Sequence, residues 1–230
     1  MSGQMMTRPL LSLLGLLALG PHGFAHADES FEHAAVRIEQ NATDEDVEVV
    51  FEVTGGDIGL ATFRVAAPDG RTVIDFKAPD SKLGIRHLVL ESPEPINDGR
   101  LQKDFPAGEY TFTADTVTGD KLSSKARLSH KFPGTVTFVY PRPKERNVPL
   151  KGLRLKWSAP KDLASCVVVV EEEETGAKLL QASLSGAAST LAVPDGLLVP
   201  DTEYKLEIGT VSREGNRSFV EASFKTAGKK

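Results

Sequence analysis

The residues able to do chemistry in this chain are scattered, and few fall at the spacing a reaction needs. Beyond the first 27 residues three histidines remain, His33, His87 and His130, with no H-x-H or H-E-x-x-H pattern among them. His33 and His130 fall in the first and last strands expected for the first half, where they could be neighbours. Cys166, the single cysteine, has no internal disulfide partner. It precedes Val167-Val-Val-Val170 and reads as a small buried hydrophobe; a catalytic thiol needs exposure and a nearby base. Asn41, Asp44, Glu45 and Asp46 gather hard oxygens, which makes Asn41, Asp44 and Asp46 weak calcium candidates. Calcium takes six or more oxygens, and the glycine of an EF-hand loop is missing, so the remaining ligands must come from other loops. The competing reading is a solvated turn. Glu171-Glu-Glu-Glu174 ends a strand, and alternation separates Glu171 and Glu173 from Glu172 and Glu174. A glycosidase pair needs a cleft and a raised pKa, neither of which is legible here, so the run reads as a charged edge that discourages strand pairing. Phosphate-cradling G-x-x-x-x-G-K and G-x-G-x-x-G loops are absent, as is G-x-S-x-G. Asn41-Ala-Thr43 and Asn216-Arg-Ser218 fit the N-glycosylation pattern, with Asn216 read as a turn residue. No catalytic residue and no cofactor is assigned.

The bulk numbers narrow the classes. The chain has 230 residues, 40% of them hydrophobic, with a formal net charge of -5 and a pI near 5.6. With no long basic run, nucleic acid and strongly anionic membranes are poor partners. The N-terminus reads as a signal peptide over residues 1–27: Arg8, the apolar run Pro9–Gly20, and the small-x-small site Ala25-His26-Ala27. The apolar run is short for a membrane span, and no later stretch is long and apolar enough for one. Removing the leader deletes one arginine and no acid, leaving an exported chain, periplasmic or extracellular, without a transmembrane segment.

The elements that must position these residues are strands. Short alternating runs recur between Gly, Pro, Asp and Asn clusters. Val36 and Ile38 share a face, then Val47, Val49, Phe51 and Val53. The turn Pro68-Asp-Gly70-Arg71 separates two further runs. Arg86–Glu91, Thr111–Val117 and Leu122–Phe132 complete about seven strands, a number typical of a sandwich. Pro93, Pro95 and Asp98-Gly99 read as a break. Pro133-Gly134 reads as the boundary between a first domain, 28–133, and a second, 134–230. In the second, Leu153, Leu155 and Trp157 point inward and Arg213–Asn216 forms the last hairpin. Phe31, Phe138 and Tyr140 could stack on sugar if exposed, against a reading as packed core. Exposed binding surfaces are expected at Ile96–Arg100, at Thr43–Asp46 and at an interdomain region around Tyr140–Asn147.

Leu198-x-Pro200-x-Thr202-x-Tyr204 resembles a tyrosine corner, in which a tyrosine opening a long strand bonds back to upstream backbone. Together with Trp157, the Gly215-Asn216 hairpin, Phe219 and Phe224, it makes residues 135–226 similar to a fibronectin type III domain. The whole mature chain resembles a group of exported bacterial two-domain proteins of unassigned activity. Ile38-Glu-Gln-Asn41-Ala-Thr43-Asp44, Pro68-Asp-Gly70-Arg71 and Phe105-Pro-Ala-Gly108-Glu-Tyr110 carry that likeness, with Asp44-Glu45-Asp46 where Asp-Gly-Asp is expected. The resemblance implies an all-β fold: two tandem immunoglobulin-like or fibronectin type III-like β-sandwiches after a signal peptide. The expected function is non-enzymatic binding of an envelope or extracellular protein. A calcium- or polysaccharide-binding accessory is the alternative, and an envelope-polymer hydrolase the least favoured. Fold does not choose among these.

Overall fold

The computed structural model describes residues 29–78, 80–94 and 98–228. The expected leader, residues 1–27, lies outside them, as do residues 96 and 97 of the expected Ile96–Arg100 surface. Among the described residues no helix is long and apolar enough to cross a membrane.

The first half folds as β1 (His33–Asn41), β2 (Asp46–Thr54), β3 (Leu60–Ala66), β4 (Thr72–Lys77), β5 (His87–Glu91), a short helix α1 (Asp98–Asp104), β6 (Gly108–Thr116) and β7 (Lys121–Leu128). The second half folds as β8 (Thr137–Tyr140), β9 (Glu145–Val148), β10 (Arg154–Ser158), β11 (Ser165–Glu172), β12 (Lys178–Ser185), β13 (Thr190–Ala192), β14 (Glu203–Val211) and β15 (Arg217–Thr226). Each half pairs a three-stranded layer with a four-stranded one, to which β9 adds on the β15 edge in the second half, and the orders correspond. They run β5-β2-β1 with β4-β3-β6-β7, then β13-β10-β8 with β12-β11-β14-β15. The chain is two tandem β-sandwiches of one topology.

Alternation makes the layers stick. Val49, Phe51 and Val53 on β2 are buried with Phe63 and Val65 of β3 and Tyr110 and Phe112 of β6. The Phe51 ring meets the Tyr110 ring edge-on at 5.8 Å. The second core gathers Leu153, Leu155 and Trp157 against Val168, Val170, Leu206 and Ile208, with Tyr204 stacked on Phe224 at 5.6 Å. Each such side chain contributes about 1.5–3 kcal/mol through burial. Phe31 is core, 6% exposed, and Phe138 and Tyr140 pack half-buried on the second cluster, so the three are not an exposed sugar platform.

Both sandwiches have a tyrosine corner. The Tyr204 hydroxyl accepts from the Val199 N–H at 2.9 Å. The Tyr110 hydroxyl donates to the Pro106 carbonyl at 3.0 Å, and burial pushes its pKa up to about 12. Each tyrosine ends a Pro-x-x-Glu-Tyr segment, Pro106–Tyr110 and Pro200–Tyr204. The pentapeptide is an internal repeat marking the same corner twice.

Three local expectations are corrected. Asp98-Gly99, read as a break, opens α1, which is closed by the i,i+4 pair Arg100–Asp104 and anchored by Leu101, 3% exposed in the first core. Glu145–Val148 is a strand without a strand-like pattern; it pairs in parallel with the end of β15. The last strand of the first half stops at Leu128, and residues 129–136 run on without a sheet partner.

Candidate functional site

The two sandwiches share a sheet. The edge of β15 is divided lengthwise: its C-terminal part takes β9, and its N-terminal part takes β1 of the first sandwich, in parallel. The register is Glu39↔Arg217, Gln40↔Ser218 and Asn41↔Phe219. One sheet therefore runs β12-β11-β14-β15-β1-β2-β5 through the whole molecule. The Ala42 N–H donates to the Phe219 carbonyl at 2.9 Å, and the Glu221 N–H to Thr43 Oγ1 at 2.8 Å. The Arg217 guanidinium reaches Glu39 at 3.1 Å.

Asn216 locks this joint. It closes the β14–β15 hairpin, its carbonyl accepting from the Ser212 N–H. Its side chain, on a residue 1% exposed, faces the other sandwich. Oδ1 accepts from the buried Ile38 N–H at 3.0 Å, and Nδ2 donates to the carbonyls of Ser129 at 2.9 Å and Lys131 at 3.1 Å. A turn asparagine thus holds together β1, the linker and the hairpin. The polar burial is tolerable because both ends of the amide are satisfied. The Asn216-Arg-Ser218 glycosylation pattern is closed off by the same burial.

The electrostatics of the shared sheet follow from its register. Glu39 faces Glu48 across β1 and β2, and Glu207 faces Glu221 across β14 and β15. Like charges directly opposite repel. Burial, then Glu91 and Glu39, push the Glu48 carboxyl up to about 7. Burial, then Glu221, raise Glu207 above the usual carboxylate range. Arg37 offsets part of this, bonding Glu39 at 2.6 Å and Glu52 at 2.7 Å. Lys205 sits between Glu171 and Glu221 at 3.3 and 3.8 Å. Phe219 fills the gap over Gly209, where a Cβ would lie 2.3 Å from its ring.

Beside the joint, the linker and the loops of the second sandwich border an open cleft. One lobe, about 400 Å3, is lined by Lys131–Gly134, Lys161–Leu163 and Ser212–Glu214. The other, about 670 Å3, continues over Trp157–Pro160 and Gly186–Ser189, with Lys161, Asp162, Leu163 and Arg213 common to both. The β10–β11 and β12–β13 loops pack closely here, since a Cβ on Gly186 would lie 2.2 Å from the Leu163 carbonyl oxygen.

The remaining residues singled out from the sequence fall as follows. Asn41, Asp44 and Asp46 form the β1–β2 turn: Asn41 Nδ2 donates to Asp44 and to Glu221, and Asp46 accepts from the Asn41 N–H. These oxygens and amides already serve the turn and the joint, and Thr43–Asp46 is docked on the second sandwich through Thr43. Among the described residues no group of three or more His, Cys, Asp and Glu has metal-site geometry. His33 and His130 are not neighbours: His33 pairs with Thr54, whereas His130 Nε2 meets the Phe105 carbonyl at 2.8 Å. The structure instead sets His33, Thr54 and His87 in one row across β1, β2 and β5, with His87 on Glu52 at 3.1 Å. Glu171 and Glu172 end an interior strand flanked by β12 and β14, so that run guards no sheet edge. Cys166 is 0% exposed, and burial raises its thiol pKa. Tyr140–Asn147, expected at the junction, lies within the second sandwich, where the Lys144 N–H bonds the Ser223 carbonyl.

No protein-family model matches the chain, and no curated protein matches it. Similar solved structures include a two-domain fibronectin type III segment of chicken tenascin. It is 14% identical over 83% of this chain and 97% of that one, with a TM-score of 0.32. The fibronectin(III)-like modules of Clostridium thermocellum CbhA are 11% identical over 90% and 92%, with a TM-score of 0.34. Tp47, the 47-kilodalton lipoprotein of Treponema pallidum, is 16% identical over 86% and 50%, with a TM-score of 0.40. The fold assignment rests on the strand orders and registers described above.

Proposed function

We propose that this chain is an exported, non-enzymatic interaction protein that presents two sandwiches to a protein partner in one fixed relative geometry. The observation that carries the reading is the shared sheet with its Asn216 lock. Two sandwiches that only needed tethering would be served by a flexible linker; here a strand pairing, an ion pair and a fully satisfied buried amide set the angle between them. Adjacent interdomain surfaces in multidomain chains are otherwise free to move. The side chains most open to chemistry support the same reading. Cys166 is sealed in the core, His87 is engaged by Glu52 and His130 by a backbone carbonyl. Rigid sandwich scaffolds carrying loops are a common support for recognition.

The test is a crosslinked pull-down from an envelope extract of the source organism, with residues 28–230 as bait and mass-spectrometric readout. An unrelated two-sandwich protein and the Asn216→Ala variant serve as controls. The reading predicts a protein enriched by the wild type and reduced with Asn216→Ala. A partner recovered equally by the loosened variant contradicts the fixed-geometry claim. Enrichment of nothing beyond the unrelated control overturns the protein-partner reading; calcium-dependent stabilisation or retention on insoluble glycan would then favour an accessory role.

A further inference from the structure

The cleft beside the joint has the parts of a peptide site, and the inference drawn from it rests on the reading of the chain as an interaction protein. Its linker wall runs through residues 131–134 without a sheet partner. The carbonyls of Lys131 and Gly134 are taken by Asn216 and Thr210. The N–H groups of Lys131, Phe132 and Gly134 donate to no group among the described residues. Phe132 and Gly134 are two residues apart, the spacing at which an extended partner repeats its carbonyls on one side. Such unsatisfied backbone is the usual template for strand addition. Half-buried Phe132, Pro133, Pro160 and Leu163 supply an apolar lining, with Trp157 buried in the larger lobe.

Charge names the occupant. Lys131, Lys161 and Arg213 reach the cleft from three different segments, all three are exposed, and none has an ion pair among the described residues. Of the two carboxylates beside them, Glu214 already accepts from the Ser129 hydroxyl, while Asp162 is exposed. Three cations against these two carboxylates leave the cleft a formal charge of +1 in a chain whose net charge is -5. We propose that the cleft binds an extended acidic peptide segment of a partner protein. Its carbonyls accept from the linker N–H groups, its carboxylates meet Lys131, Lys161 and Arg213, and an apolar side chain lies on Phe132 and Leu163. Four linker residues span about 13 Å when extended, so about four to six peptide residues are covered.

The test selects a phage-displayed random peptide library on residues 28–230. Tryptophan-free synthetic versions of the selected peptides are then titrated by the fluorescence of Trp157, the only tryptophan in the chain. Acidic sequences should be enriched, and their binding should weaken in high salt. Lys161→Glu/Arg213→Glu should weaken it about tenfold or more while leaving the melting curve of the free protein unchanged. Selected peptides that are not acidic, or that bind the double variant equally well, overturn the proposal, as does a library that yields no binder. Heparin oligosaccharides binding the cleft where peptides do not would assign it to polyanionic glycans and also overturn it. The two readings fail separately. An envelope partner indifferent to Lys161→Glu/Arg213→Glu sinks the cleft and leaves the interaction protein. Acidic peptides seated in the cleft with no envelope partner do the reverse.

Discussion

Replacing Asn216 by alanine should uncouple the two sandwiches without unfolding either. The Ile38 N–H, on a residue 0% exposed, loses the Oδ1 that accepts from it at 3.0 Å and has no route to water. An orphaned buried donor costs about 1–3 kcal/mol. The Nδ2 contacts to Ser129 and Lys131 are lost as well. Those acceptors lie on half-buried or exposed residues, so water replaces part of the loss and about 1 kcal/mol remains. The sum is about 2–4 kcal/mol, concentrated at the joint. Trp157 belongs to the second core, so its fluorescence reports that sandwich, whereas circular dichroism reports both. In the wild type the two thermal transitions should coincide; in Asn216→Ala they should separate, and the Ile38 amide should exchange faster. Asn216→Asp keeps the Oδ1 acceptor but points a buried carboxylate at two carbonyls, so it should be no better. A loss well under about 1 kcal/mol, or transitions that stay superimposed in the alanine variant, would refute the lock.

Glu48→Gln should make stability less dependent on pH. The folded carboxyl titrates near 7 against an ordinary 4.5. The folded state therefore holds the proton more tightly, and stability falls as pH rises from about 4.5 to about 7. Because the group is only half-buried and solvent screens part of the effect, the wild-type deficit is about 1–2 kcal/mol, and urea melts should show Glu48→Gln above wild type at pH 8 and level with it at pH 4. Tyr204→Phe leaves the Val199 N–H without its acceptor and should cost about 1–2 kcal/mol, with Tyr110→Phe costing about 1 kcal/mol, read as shifts in the urea midpoint at constant slope. Gly186→Ala drives a Cβ against the Leu163 carbonyl and should destabilise by about 1–3 kcal/mol; a neutral melt would mean the two loops give way. Cys166 should ignore a thiol reagent in the native protein and react fully in denaturant, native reactivity being incompatible with its burial.

Much of the architecture is legible in local pattern. Alternation over Val47–Val53 and Leu153–Trp157 predicts which faces meet, and the Leu198–Tyr204 segment marks a corner that the Tyr204–Val199 bond realises. The equivalent corner at Tyr110 was available to reading too, through the repeated Pro-x-x-Glu-Tyr. The joint was not. A parallel pairing between residues 39–41 and 217–219 leaves no trace in either segment, because both read as ordinary strands and the register is set by the fold. Asn216 has the composition of a turn and does form one, which conceals what its amide does. Helix α1 is hidden because Asp98-Gly99 carries a turn signature while its stability comes from Leu101 in the core and the Arg100–Asp104 pair. The cleft escapes sequence altogether: Lys131, Lys161 and Arg213 stand about 30 or more residues apart and meet only through topology.

Through the shared sheet the two sandwiches should move as one rigid body. Residual dipolar couplings of backbone amides, measured over residues 28–230 in one alignment medium, test it directly. A single alignment tensor should fit β1–β7 and β8–β15 together, with the amides of Ile38 and Ala42 protected from exchange. Separate tensors for the two sandwiches, or rapid exchange at those two amides, would contradict it.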